Sequence, residues 1–173
     1  MRSLKKLQIV CIILGVALYM YPFHHASAST NTHEKATEIT LESFAGELKS
    51  LKDYRGKKVA VHFFSIWCHP CQEEMPYIAE FAKRVEEAGG IFIPVHLTKV
   101  DQGTNQLQAF LTHYQADFDP LLDKKGEMMN MYTINGIPTT IFLDENGQVE
   151  KRINGMLPKE AADAFIHQVT TRN

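Results

Sequence analysis

Ser65-Ile66-Trp67-Cys68-His69-Pro70-Cys71-Gln72 joins two segments of different periodicity. Before it, Val59-Ala60-Val61-His62-Phe63-Phe64 is almost continuously apolar, the pattern of a strand buried on both faces. After it, Met75, Ile78, Ala79, Ala82 and Val85 recur at helical spacing until Gly89-Gly90 ends the run. A Cys-x-x-Cys pair therefore sits where a strand turns into a helix. Free backbone N–H groups and the helix dipole favour a thiolate there, and the spacing lets the two sulfurs close a small reversible disulfide. Pro70 is tolerated in the first turn, whereas Pro76 lacks the N–H of an interior position and is expected to kink the helix.

Outward from this stretch, Ile91–Leu97 reads as a second buried strand, so a right-handed strand–helix–strand unit with parallel strands is expected. On the amino-terminal side, Ile39–Phe44 alternates and Ala45-Gly46-Glu47 supplies a turn into Leu48-Lys49-Ser50, an opening hairpin. Ser50 then caps a helical turn through Tyr54 that stops at Gly56. On the carboxyl-terminal side a polar connection, Thr98–Thr104, leads to a helix over about Asn105–Tyr114, and Glu127–Tyr132 predicts another short one. Between these helices Phe118–Leu122 has no decisive period. Thr139–Leu143, Asp144-Glu145-Asn146-Gly147 and Gln148–Ile153 form a strand, turn and antiparallel strand, after which Pro158 opens a last helix. The expected fold is α/β, a mixed sheet with helices on both faces.

The first residues differ in kind. Arg2, Lys5 and Lys6 precede an apolar run, Leu7–Phe23, broken only by Gln8, and Ala26-Ser27-Ala28 follows with the small-residue pattern of a signal-peptidase site. Residues 1–28 are expected to be a membrane anchor with the following domain outside the cytoplasm, or alternatively a signal cleaved after Ala28. Residues 29–38 are polar and without period, a linker to a single domain over 39–173. A net charge of −2 supplies no attraction for a polyanion, so no nucleic-acid partner is expected. Of three cysteines, Cys11 lies in the apolar run. The remaining two are too few for a disulfide-stapled scaffold, which makes them reactive rather than structural.

Cys68 is the candidate nucleophile, since it comes first at the helix start and should be the more exposed sulfur. Cys71, one turn on, would attack the mixed disulfide from within. His69 and Pro70, with Trp67 alongside, are candidates for setting the redox poise, and dithiol couples of this type span about −270 to −120 mV. His62 reads first as a satisfied core histidine and second as a proton acceptor for Cys71. Glu73, Glu74 and Lys83-Arg84 read as a solvated helix face. Asn135-Gly136-Ile137-Pro138-Thr139-Thr140 places a proline ahead of a strand, a special turn where a cis bond is admissible. No cofactor and no metal is implied, because no second Cys or His pair follows at ligand spacing.

Together Phe63-Phe64-Ser65-Ile66-Trp67-Cys68-His69-Pro70-Cys71, Pro76 eight residues after Cys68, and Gly136-Ile137-Pro138-Thr139 resemble the thioredoxin superfamily over about residues 39–170. The opening Leu41–Glu47, the Leu51–Lys57 segment, the insertion after Leu97 and the exported amino terminus are similar to the membrane-tethered, extracytoplasmic ResA, TlpA and StoA group. That resemblance implies a thioredoxin-like sheet with an amino-terminal β-hairpin extension, a cis bond at Pro138 and docking of a substrate chain on the backbone of Ile137. It also implies reduction of disulfides in exported proteins, in cytochrome c maturation or sporulation, with electrons from a CcdA-like membrane protein. Two positions depart from the pattern: His62 stands where thioredoxins carry a buried aspartate, and Lys99 where a ResA-type glutamate is expected after the next strand. A disulfide-donating oxidase, favoured by His69, is the nearest alternative. A copper-binding chaperone needs one more residue between its cysteines, and a peroxidatic cysteine would sit in a different turn.

Overall fold

The apolar run Val59–Phe64 becomes β3, all six residues buried, at the centre of a five-stranded sheet ordered β5 (Leu121–Leu122), β4 (Ile91–His96), β3, β6 (Thr139–Leu143) and β7 (Val149–Asn154). The computed structural model describes residues 39–101 and 103–171. Strands β1 (Thr40–Glu42) and β2 (Leu48–Ser50) pair antiparallel as the expected hairpin, and a 3-10 turn, Leu51–Tyr54, follows Ser50. Helix α1 is His69–Glu87 and β4 is Ile91–His96; β4 pairs parallel with β3, Val59 opposite Ile91 and Phe64 opposite His96. Then come α2 (Leu107–His113), β5 (Leu121–Leu122), α3 (Glu127–Met131), β6 (Thr139–Leu143), β7 (Val149–Asn154) and α4 (Lys159–Thr170).

The ambiguous Phe118–Leu122 resolves into a two-residue strand parallel to β4. Ser43 bridges to Leu121, and Phe44 N–H donates to Pro120 O at 2.8 Å, so the hairpin covers the edge that so short a strand leaves open. Strand β6 runs antiparallel to β3, with His62 directly opposite Thr140, and β7 closes the other edge as expected of the Asp144–Gly147 turn.

The two faces of β3 bury different residues because side chains alternate along a strand. Ala60 and Phe64 face a core with Met75, Ile78 and Phe81 of α1, Leu107 and Leu111 of α2, and Phe165 of α4. Val59, Val61 and Phe63 face a second core with Leu41, Leu51, Met128 of α3 and Tyr132. Fully burying one such side chain is worth about 1.5–3 kcal/mol, so this double burial is what holds β3 in the middle. Gly89 takes φ +89°, and Gly90 N–H returns to Val85 O at 2.9 Å to end α1. The mixed sheet with helices on both faces and a separate amino-terminal hairpin is the expected fold. Among the described residues no helix is long and apolar enough to cross a membrane. The expected anchor or signal (1–28) and linker (29–38) lie outside the described residues.

Candidate active site

Strand β3 stops at Phe64 because the next four residues turn: Cys68 N–H donates to Ser65 O at 3.3 Å. Cys68 then caps α1, its sulfur accepting from Cys71 N–H at 3.4 Å, and Pro70 falls in the first turn where its missing donor costs nothing. The two sulfurs form a disulfide with Cα atoms 5.2 Å apart. Cys68 is 4% exposed and Cys71 0%, so Cys68 is the sulfur a partner can reach. The first turn of a 19-residue helix directs its free N–H groups at Cys68, a setting that favours a thiolate over a thiol.

The cis peptide Ile137-Pro138 reaches this sulfur from the neighbouring strand, at the turn that leads into β6. Ile137 O lies 3.6 Å from Cys68 Sγ, and Thr139 Oγ1 donates to Gly136 O at 2.8 Å to brace the loop. Trp67, Cys68, His69 and Pro70 make one wall of a groove of about 370 Å³, Leu97 and Val100 another, and Ile134 to Ile137 the third. A larger depression of about 680 Å³ by α2, lined by Phe44, Lys83 and Asp119 among others, shares no residue with it. Trp67 is 58% exposed at the rim, and His69 stands in solvent with Nδ1 3.5 Å from Glu73 Oε1.

His62 is fully buried on the Phe64 side of the sheet, its ring alongside Phe64 and Phe92 at 6.3 and 6.5 Å. Nδ1 lies 2.9 Å from Thr140 Oγ1, and Nε2 has no partner among the described residues. Burial pushes its pKa down to about 3, so the ring is neutral in any ordinary buffer. The core-histidine expectation fits this placement, though only one of its two nitrogens is satisfied.

Glu74 corrects the expectation of a solvated face. Glu73 and Lys83 are exposed, but Glu74 is 2% exposed and accepts a hydrogen bond from Leu157 N–H, in the loop between β7 and α4. Its Oε2 has no partner among the described residues, and burial raises its carboxyl pKa to about 7. Helical spacing carried the signal: Glu74 stands three residues after Cys71 and four before Ile78, on the buried stripe. Arg84, on that same expected face, pairs with Asp163 of α4 at 2.7 Å.

Lys99 brings no ionisable group to the groove lining. Its aliphatic stem lies where a side chain on Gly126 would fall, 2.6 Å from that glycine's would-be Cβ, and its N–H donates to Asp123 O at 3.0 Å. The acidic group in this loop is Asp101, which sequence reasoning left in a polar connection. Its Oδ2 accepts from Ser65 Oγ at 2.7 Å and Ile66 N–H at 2.9 Å, and lies 2.8 Å from Nε2 of buried His96. Residues 35 and 36 apart in sequence carry no local signal of such a contact. Among the described residues no three His, Cys, Asp or Glu side chains cluster in a way that could hold a metal.

This geometry has known counterparts. The AhpC/TSA family matches residues 32–152. The chain is 28% identical over 164 residues to the thiol-disulfide oxidoreductase ResA of Bacillus thuringiensis subsp. konkukian, covering 95% of this chain and 92% of that one. It is 33% identical over 127 residues to the thioredoxin-like protein YneN of Bacillus subtilis, covering 73% and 74%. Its fold is similar to the crystal structure of StoA from Bacillus subtilis, with TM-score 0.64, 29% identity and coverage of 75% and 93%. It is similar also to a putative thiol:disulfide interchange protein DsbE from Chlorobium tepidum, with TM-score 0.68, 28% identity and coverage of 78% and 94%. The chain belongs to the AhpC/TSA family, and within it is a thioredoxin-like thiol–disulfide oxidoreductase of ResA and StoA type.

Proposed function

We propose that this oxidoreductase works outside the cytoplasm, reducing disulfides in exported proteins, with residues 1–28 tethering it to the membrane. The observation that carries the reading is the placement of one sulfur, Cys68, on the groove lining beside the backbone carbonyl of Ile137, with Cys71 buried one turn behind. In the dithiol form the Cys68 thiolate attacks one sulfur of a substrate disulfide. The substrate S–S bond breaks, one thiolate leaves, and a mixed disulfide links Cys68 to the other sulfur. Cys71, deprotonated, then attacks Cys68 Sγ, closing Cys68–Cys71 and freeing the second substrate thiolate. Two electrons have passed from the dithiol to the substrate.

Ile137 and Pro138 present the surface on which an extended substrate segment lies while its sulfur lines up with Cys68. Trp67 shields the sulfur from one side, while His69 and Pro70 in the first turn set how far the thiolate is stabilised, and with it the direction of exchange. Regeneration of the dithiol needs two electrons from the cytoplasmic side, for which a CcdA-like membrane protein is the proposed donor. Cytochrome c maturation or sporulation proteins are the proposed targets.

The test is capture. Cys71→Ala should hold mixed disulfides with exported proteins in membranes of the source cell, and Cys68→Ala should hold none. A Cys71→Ala protein that traps nothing, while the wild type purifies with stoichiometric copper, would overturn the reading in favour of a metal chaperone. Finding the wild type largely oxidised in the cell, with a potential near the oxidising end of the range of about −270 to −120 mV, would reverse the direction.

A further inference from the structure

The loop that delivers Cys68 and the turn that forms the opposite wall of its groove meet at one atom. Asp101 Oδ2 takes Ser65 Oγ at 2.7 Å, Ile66 N–H at 2.9 Å and His96 Nε2 at 2.8 Å. Ser65 and Ile66 begin the turn that ends at Cys68. Val100 and Leu97, which wall the groove, belong to the turn carrying Asp101, whose own N–H returns to Leu97 O at 3.1 Å. His96 is buried at the end of β4, its Nδ1 2.9 Å from Thr98 Oγ1 and its ring 5.6 Å from that of Phe64. With a carboxylate on Nε2, that nitrogen carries the hydrogen and Nδ1 is left to accept. Every donor to this oxygen is fixed from a different direction, by strand, turn or ring.

From this we infer that Asp101 is a positioning residue that staples the Ser65–Trp67 loop to the Leu97–Asp101 turn, setting the width of the groove and the line along which Cys68 meets a protein disulfide. The inference rests on the disulfide-exchange reading. A charged acceptor suits the task because it bonds more strongly than a neutral one and one oxygen can serve several donors. The remainder of the loop is held from the helix side by Gln72 Nε2, which donates to Ile66 O at 2.7 Å. Without Asp101 the Ser65 hydroxyl and Ile66 N–H lose this partner, and the two walls lose this side-chain link while keeping the backbone bond from Leu97 N–H to Phe64 O at 3.0 Å, at the end of β3. A small disulfide that touches only the sulfur needs neither wall. A polypeptide disulfide, lying across Ile137 and between the walls, needs both.

The experiment compares reduced wild type, Asp101→Ala and Asp101→Asn in their rate constants toward insulin and toward glutathione disulfide. Misplacing a reacting group by about 1 Å costs up to about 100-fold, so Asp101→Ala should lose about 10- to 100-fold on insulin and less than about threefold on glutathione disulfide. Asp101→Asn keeps an oxygen in place for the three donors and should restore the insulin rate to within about threefold of wild type. Should Asp101→Ala fail to fold, Ser65→Ala, which removes one donor, should lower the insulin-to-glutathione rate ratio in the same direction. An unchanged ratio in whichever of the two alanine variants folds overturns the inference. So does a parallel loss on both substrates that tracks melting temperature, the mark of a merely structural residue. Wild type inert toward both disulfides would instead sink the disulfide-exchange reading itself.

Discussion

Cys68 Sγ stands 3.6 Å from the carbonyl oxygen of Ile137, a residue 69 positions further along the chain. The two arrive from adjacent antiparallel strands, Cys68 four residues past the end of β3 and Ile137 two residues before the start of β6. The sulfur thus lies beside the half-buried Ile137, on the lining of the same groove. Cys71, on the inner side of the same helical turn, is fully buried.

That asymmetry predicts the order of alkylation. In the reduced protein at neutral pH, iodoacetamide should modify Cys68 first and faster than a free thiol of ordinary pKa, about 8.5, while Cys71 stays protected. Peptide mapping by mass spectrometry over a time course reads this directly. Equal labelling of both sulfurs would mean that the helix start does not separate their roles.

Glu74 predicts a stability that falls as pH rises. Its carboxyl pKa is about 7 in the folded protein against 4.5 for an ordinary glutamate, so between those values the folded state binds more protons than the unfolded one. Stability is then lost as the pH climbs from about 4.5 through 7, as the buried group is forced to ionise. Glu74→Gln, which can still accept from Leu157 N–H, should remove that slope and be the more stable protein at pH 8. Urea midpoints at pH 5 and pH 8 decide it; parallel curves for the two proteins would refute the assignment.

His62 predicts the opposite slope in acid. Its folded pKa of about 3 lies below the usual 6.5, so the unfolded state takes up a proton that the folded state refuses. Stability is full above 6.5 and drains away as the pH falls toward 3. His62→Leu should flatten this acid limb in thermal melts, although losing the Thr140 hydroxyl's partner lowers the plateau by about 1 kcal/mol. Part of the limb should survive, because His96 is also held below its ordinary pKa by burial, against the opposing pull of Asp101.

Phe165→Ala should destabilise the domain by about 3–5 kcal/mol, as expected for removing a buried ring. Phe165 is 1% exposed and stacks on Phe142 at 4.4 Å with Phe81 at 6.3 Å. Chemical denaturation should show the loss, while the alkylation rate of Cys68 in the still-folded protein stays at its wild-type value. A slowed Cys68 would mean that this aromatic cluster reaches the site.

Most elements could be read from the chain because their signals are local. Val59–Phe64 is apolar on both faces and buried on both; Met75, Ile78, Ala79, Ala82 and Val85 keep a helical period and line the core side of α1. The ends moved by a residue or two, as at α2, where the tertiary contacts of Leu107 and Leu111 set the helix. Phe118–Leu122 could not be resolved because a two-residue strand exists only through its partners β4 and Ser43. Glu74 departs from its expected place for another reason. Its charge outweighed its place on the stripe, yet the register of Cys71, Met75 and Ile78 had already turned it inward.

By itself the sequence determined that two thiols sit at a strand-to-helix junction, and which of them comes first. Both follow from periodicity, the two prolines and a spacing of three residues, all between Val59 and Val85. Only the tertiary structure decided what surrounds them. Folding the sheet brought Ile137 to Cys68, hung Asp101 between Ser65 and His96, and shut Glu74 and His62 away from water. The contacts of Cys68 with Ile137 and of Asp101 with Ser65 join residues 69 and 36 apart. A local pattern marks the buried positions of Glu74 and His62, but not the partners that Asp101 and Ile137 meet across such distances.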